Sequence, residues 1–203
     1  MIIYYVWVTG TIFMVATMAS NHCFTPDTAQ YSTVNVWCAI YTNMVASMHY
    51  GLMALNNQPT FKIILKYSDW LISLPVMRLQ ICVILRIHDK EILGTSMMCT
   101  VAMLLMGFVG EVATSFDVKI MLGFWAAMVS EYSTYVLERH YRGLEFHHLY
   151  NFQKNMCRMY GVLYLVGAMP WPYAADLASS LQGVGDVMMK GSLMAFALME
   201  NNV

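Results

Sequence analysis

The chain has 203 residues, of which 59% are hydrophobic and only 11% charged, with a formal net charge of -1. An ordinary soluble domain carries about 25% charged residues, so this is a membrane composition. Near-neutrality argues against nucleic acid as a partner.

Seven spans of about 20 residues with short loops would use nearly the whole chain, which predicts one membrane domain over residues 1–203. The segment from Ile2 to Met18 lacks a basic leader and reads as a first span rather than a cleavable signal peptide. The cysteines Cys23, Cys38, Cys82, Cys99 and Cys157 form no Cys-x-x-Cys pair, which argues for helix packing rather than metal or redox chemistry. Twenty methionines scattered over every segment fit the same gap-filling role better than copper binding.

Breakers divide the chain into helices A about 1–20, B about 33–55, C about 61–87, D about 93–114, E about 118–141, F about 147–173 and G about 177–200. Pro26 lies between A and B, and Asn56-Asn-Gln-Pro-Thr60 joins B to C. His88-Asp-Lys-Glu91, Thr114-Ser-Phe-Asp117 and the charged stretch Glu138 to His148 follow. Pro172 to Asp176 makes the last loop, with Asp176 the expected N-cap of helix G. Arg86, Lys90, Arg139, Arg142, Lys154 and Arg158 cluster around the C–D and E–F connectors, while the opposite side holds mainly Lys62 and Lys119. The positive-inside bias therefore puts those connectors in the cytoplasm and the N-terminus outside.

Helix C carries the first informative pattern. At 100° per residue, Lys66, Asp69, Ser73, Met77 and Gln80 fall within about 60° of a common direction. They form a polar file about 16 Å long from Asp69 to Gln80, with Pro75 loosening the helix between its halves. Helix G carries the second. Asp186 stands four residues before Lys190 in an apolar segment, so both lie on one face. A lysine near the middle of a bilayer costs roughly 2.5–3.5 kcal/mol and is read as functional by default. A buried cation needs paired anions to stay charged, and a desolvated amine is a good Schiff-base former.

Tyr67-x-Asp69-Trp70-Leu-x-Ser73-x-Pro75 resembles the helix-C signature of the microbial rhodopsins, Arg-Tyr-x-Asp-Trp-x-x-Thr-x-Pro. Asp186-x-x-x-Lys190 resembles their helix-G pair, in which the lysine carries retinal. The resemblance covers the chain in topology and is best in residues on helices C and G. It implies an all-α, seven-helix transmembrane bundle with a retinal pocket, set in the cell membrane as a trimer or pentamer. Lys190 would bear all-trans retinal as a Schiff base, with Asp69 and Asp186 as its counterions. Trp70, Met103, Gly107, Trp125 and Tyr132 match or sit at pocket positions, Gly107 within Met106-Gly-Phe-Val-Gly110. On helix B, His49-Tyr50-Gly-Leu-Met53-Ala54 resembles the proteorhodopsin segment that sets Tyr50 beside the counterion and makes His49 a candidate partner of Asp69. A histidine bonded only to a backbone carbonyl is the alternative.

Two departures from the pattern stand out. Lys66 replaces the helix-C arginine and keeps the charge without the planar fork. Helix F usually reads Trp-x-x-Tyr-Pro-x-x-Trp, and here Val166, Met169, Pro170 and Tyr173 hold those places. The ring sandwich around the chromophore is thereby weakened. Arg78 and Glu131 are further intramembrane charges without an assigned partner.

The resemblance implies a transporter or photoreceptor rather than an enzyme. Its leading form is a light-driven outward proton pump with Asp69 as acceptor and Ser73 as relay. Gln80 cannot donate a proton as a carboxylic acid does, so reprotonation is expected to be slow. A photosensor with little transport is the second expectation, and a seven-helix protein that never binds retinal the third. An inward proton pump, a sodium pump and a chloride pump each expect other residues at Asp186, Asp69 or Ser73. Met77 is apolar at the colour-tuning position, which implies green absorption.

Overall fold

The structure, a computed structural model, describes residues 30–56, 58–87, 89–141 and 147–200. Predicted helix A lies outside the described residues. Six helices and no strand occur among those described: α1 (Gln30–Leu55), α2 (Pro59–Ile84), α3 (Lys90–Val112), α4 (Phe116–His140), α5 (His147–Ala168) and α6 (Ala174–Glu200). They correspond to predicted helices B to G. Each has 22 to 27 residues, and about 20 suffice to cross the hydrocarbon core of a bilayer. By length and composition alone, Lys90–Val112 is the described helix apolar enough to qualify as a span. The other helices carry more polar and charged residues, many of them buried on α1, α2 and α6.

That inversion is the main feature of the packing. Asn35, Thr42, Asn43, His49, Asp69, Ser73, Gln80, Asp186 and Lys190 are all buried. Meanwhile Trp37, Tyr41, Met44, Met48, Leu52 and Leu55 form an exposed apolar stripe along α1 at three- and four-residue spacing. A water-soluble helix turns its apolar stripe toward the core. Here the apolar side faces out, as lipid requires, and polar groups find partners within the protein.

The helix ends follow local chemistry. Pro59 occupies the first turn of α2, where its missing N–H costs nothing. At the other end, Arg86 takes the left-handed conformation (φ 54°) and the Ile87 N–H closes onto the Cys82 carbonyl at 2.9 Å, a turn that glycine usually fills. Asp89 caps α3 by accepting hydrogen bonds from the Glu91 and Ile92 N–H groups at 2.8 and 3.4 Å. The chain turns between α5 and α6 through Tyr173, also left-handed at φ 69°. Two expectations are corrected there. Helix F stops at Ala168 instead of running to 173, so Pro170 lies in the turn, because a proline cannot continue the hydrogen-bond ladder. Helix G starts at Ala174, which makes Asp176 a first-turn residue rather than the N-cap.

The chain divides into two compact units. One holds α1, α2 and α6 from Val187 onward, and the other runs from Asp89 to Asp186. In the first, Val36, Ala39 and Ile40 of α1 pack with Met194 and Ala197 of α6. Farther along, Ala46, Tyr50 and Met53 pack with Leu65 of α2, and Val187 leans on that cluster. In the second unit, α3 and α4 meet along a polar seam where the Ser96 and Ser133 hydroxyls lie 3.0 Å apart. Tyr164 of α5 fits into space left by Gly110 and Gly123 and donates to the Lys119 carbonyl at 3.3 Å.

Candidate functional site: a buried lysine and its carboxylate

Within the first unit, α6 delivers Lys190 and α2 delivers Asp69 to one buried spot. Lys190 Nζ donates to Asp69 Oδ2 at 2.8 Å. The side chains are 0% and 1% exposed. Charges that deep in apolar surroundings persist only as a hydrogen-bonded pair. One turn before the lysine on the same helix, Asp186 is also buried.

The file on α2 continues from that carboxylate. Asp69, Ser73, Met77 and Gln80 recur at helical spacing and all four are buried. The Ser73 hydroxyl has no hydrogen-bond partner among the described residues. Met77 interrupts the polar groups with an apolar side chain. Beyond it, the Gln80 side-chain amide donates to the Asn35 carbonyl of α1 and the Leu193 carbonyl of α6, each at 3.3 Å. Gln80 thus ties three helices of this unit together. Lys66 leaves the file: it is only partly buried, and its ammonium sits over the rings of Tyr67 and Trp70, 5.1 and 5.4 Å from their centroids. Those two rings meet edge to face at 5.5 Å, and both are buried.

On α1, Tyr50 is buried in the cluster with Ala46, Met53 and Leu65. His49 is buried too, and its Nδ1 lies 2.8 Å from the Val45 carbonyl one turn earlier. A carbonyl only accepts, so Nδ1 carries the proton there.

The second unit disposes of the remaining candidates differently. Gly107 is buried and Met103 half-buried on α3. Trp125 and Tyr132 are 54% and 55% exposed. The buried stripe of α4 runs through Ala126, Ser133 and Leu137, and each of these two rings precedes a stripe residue by one, about 100° around the helix. Pro170 and Tyr173 are exposed in the turn after α5.

Glu131, left without a partner by sequence, pairs with Arg158 of α5. The Arg158 Nε and one terminal nitrogen both donate to the carboxylate at 2.6 Å. Lys154 reaches Glu138 at 2.7 Å one step along the same two helices. No pattern within one helix reveals these pairs, because they depend on how α4 and α5 are rotated against each other. Arg78 is buried on α2.

The family model for bacteriorhodopsin-like proteins matches residues 1–198. The chain belongs to that family. A search of curated protein sequences finds no match. The fold is shared with several solved rhodopsins. The transmembrane domain of a rhodopsin phosphodiesterase from Salpingoeca rosetta aligns with a TM-score of 0.81 at 13% identity, over 99% of this chain and 83% of that one. A blue light-absorbing proteorhodopsin from Med12 aligns at 0.79 and 16% identity, over 100% and 98%. A thermophilic rhodopsin aligns at 0.74 and 18% identity, over 99% and 93%. At such identities the likeness is one of fold.

Bacteriorhodopsin-like proteins are membrane proteins and are known to bind retinal. This unit's residues fit such a group. A primary amine is buried against a carboxylate, a buried hydroxyl one turn farther along α2 has no partner among the described residues, and the rings of Tyr50 and Trp70 are buried in the same unit.

Proposed function

We propose that this protein is a retinal-binding, light-driven proton pump that moves protons outward, with Lys190 as the attachment point and Asp69 as the proton acceptor. The observation that carries this reading is the 2.8 Å contact between Lys190 Nζ and Asp69 Oδ2, both buried. All-trans retinal, held on the Lys190 nitrogen as a Schiff base, would supply light absorption and a change of shape. The chain's own residues would do the rest. Asp69 balances the positive nitrogen in the dark and is placed to take a proton from it. Asp186 supplies a second buried carboxylate one turn away along α6. The Ser73 hydroxyl can both donate and accept, which suits a relay next to Asp69. Trp70 and Tyr50 are the side chains of the first unit that we assign to the chromophore's surroundings.

The arrangement of basic residues supports a cytoplasmic placement of the connectors after α2 and α4, with the N-terminus outside. Gln80 supports a second reading, a photosensor with little net transport. Its amide is committed to two carbonyls and cannot return a proton, so the dark state would be regained slowly.

Two experiments separate these readings. All-trans retinal added to the folded apoprotein should give a visible band that Lys190→Ala abolishes, and a colourless mixture would refute retinal binding altogether. In illuminated cells or oriented vesicles, acidification of the outside supports the pump, and an unchanged pH supports the sensor. Recovery of the dark spectrum should be slow and should speed up at low pH or with azide. Fast recovery indifferent to both would count against Gln80 as the bottleneck.

A further inference from the structure

The two hydrogen bonds of Gln80 account for only half of its side chain. Its amide nitrogen donates to the Asn35 carbonyl of α1 and the Leu193 carbonyl of α6. Carbonyls only accept, so the nitrogen must face them and the amide oxygen must point away. That oxygen, Oε1, is buried and has no hydrogen-bond partner among the described residues. An amide oxygen offers two lone pairs, and a buried acceptor left unbonded costs stability. Buried polar groups are almost always satisfied by protein or by ordered water.

The side chains at this level narrow the choice of donor. Val36, Ala39 and Ile40 of α1 form one apolar cluster with Met194 and Ala197 of α6. These residues flank Asn35 and Leu193 in sequence, so the cluster lies at the level of the amide, and it offers no donor. Ala39 and Ala197 are both fully buried and small. Met77, about one turn back along α2, is apolar and buried. Asn35 brings a second buried side-chain amide to the same level. A cation is a poor occupant, because the oxygens that meet there are neutral and buried charges need a paired charge. The carboxylate of the α2 file, Asp69, is eleven residues away, about 16 Å along the helix. A neutral molecule that donates is what this acceptor calls for, and a buried water typically makes two to four such bonds.

We propose that Gln80 Oε1 anchors one internal water molecule between α1, α2 and α6, with the side-chain amide of Asn35 as the water's second partner. The site follows from the orientation of the Gln80 amide and is independent of retinal. Its place gains a further meaning only on the transport reading given above. Leu193 lies three residues beyond Lys190, so the water stands about 4.5 Å farther along α6, toward the inner side. Gln80 has no acidic proton of its own, but it holds in that position a molecule that both accepts and donates.

Two measurements on the full chromophore-free chain test this, so a failure to bind retinal leaves both unaffected. The first is solid-state NMR of the isotope-labelled protein in lipid bilayers, following magnetisation passed from water protons to side-chain carbons. The Gln80 Cδ signal is assigned by its loss in Gln80→Met, with helicity by circular dichroism checking that this variant is folded. Build-up at Gln80 Cδ should be several-fold faster than at the methyl groups of Ala39 and Ala197, which are buried at the same level. Build-up as slow as at those alanines overturns the proposal. The second is a crystal structure of the unaltered chain at a resolution that shows interior waters, and it decides the matter even if Gln80→Met does not fold. A single density peak at hydrogen-bond distance from Oε1 supports the site. A dry Oε1, or a protein group donating to it, overturns the proposal.

Discussion

Replacing Asp69 by Asn tests whether Lys190 is held as a buried cation. At 2.8 Å and an effective dielectric of about 20, the attraction between the two charges is about 6 kcal/mol. Much of that offsets the loss of water around both ions. Removing one partner leaves the desolvation of the other uncompensated, and for buried pairs this costs about 3–5 kcal/mol. Lys190→Met removes the cation from beside Asp69 and should cost a similar amount. The double variant Asp69→Asn/Lys190→Met has neither charge, and Met fills much of the space of a lysine stem. Its stability should therefore return to within about 1 kcal/mol of the wild type or exceed it. The coupling in this double-mutant cycle is then about 3 kcal/mol or more. Unfolding of the apoprotein in mixed micelles, followed by circular dichroism, measures each corner without any chromophore. Additive single-variant costs, with a coupling below about 1 kcal/mol, would refute the idea that these two side chains stabilise each other as ions.

Three further substitutions read other parts of the structure. Ser73→Ala removes a buried hydroxyl without a hydrogen-bond partner, so apoprotein stability should be unchanged or rise by about 1 kcal/mol; a loss of that size in the same unfolding assay would mean the hydroxyl holds the fold together. Gly110→Ala puts a methyl group against the Tyr164 hydroxyl, and should cost about 1–3 kcal/mol by overpacking. Tyr164→Phe in the same chain takes away the clashing oxygen and should recover part of that loss, whereas an unchanged melting temperature for Gly110→Ala alone would contradict the packing. Arg86→Gly relieves a left-handed residue at the exposed end of α2, for which the gain should be about 1 kcal/mol. A thermal shift downward would show that the Arg86 side chain does more than tolerate the turn.

The residues that sequence picked out most sharply are those whose meaning depends on one helix at a time. The file from Asp69 to Gln80 is a matter of spacing, and its buried face follows once the helix forms. The lone lysine in apolar α6 is conspicuous because burying an ammonium is costly. Features that depend on how helices rotate against their neighbours were less legible. Trp125 and Tyr132 each precede a buried residue of α4 by one, about 100° around the helix, and spacing alone does not say which side of it they take. The Glu131–Arg158 pair joins residues 27 apart on different helices, a separation that carries no periodic signal. Helix F ends at Ala168, short of the motif around Met169 and Pro170, because the proline cannot continue the hydrogen-bond ladder.

The interior of the first unit bears on the choice between pumping and sensing. A path for protons toward the inner side would need groups that can both give and take them along α2 beyond Ser73. Met77 offers none, and it is as buried as its neighbours. Gln80 can donate hydrogen bonds but has no acidic proton to release. Its two bonds also join α1 and α6 to α2, so any separation of these helices at Gln80 must first break them. Net bonds of this kind are worth about 0.5–1.5 kcal/mol each, so they are no large barrier to such a movement. The lasting obstacle is therefore chemical rather than mechanical. Proton return to the Lys190 nitrogen would depend on water or small acids reaching it past Met77, which is why added azide is the decisive reagent.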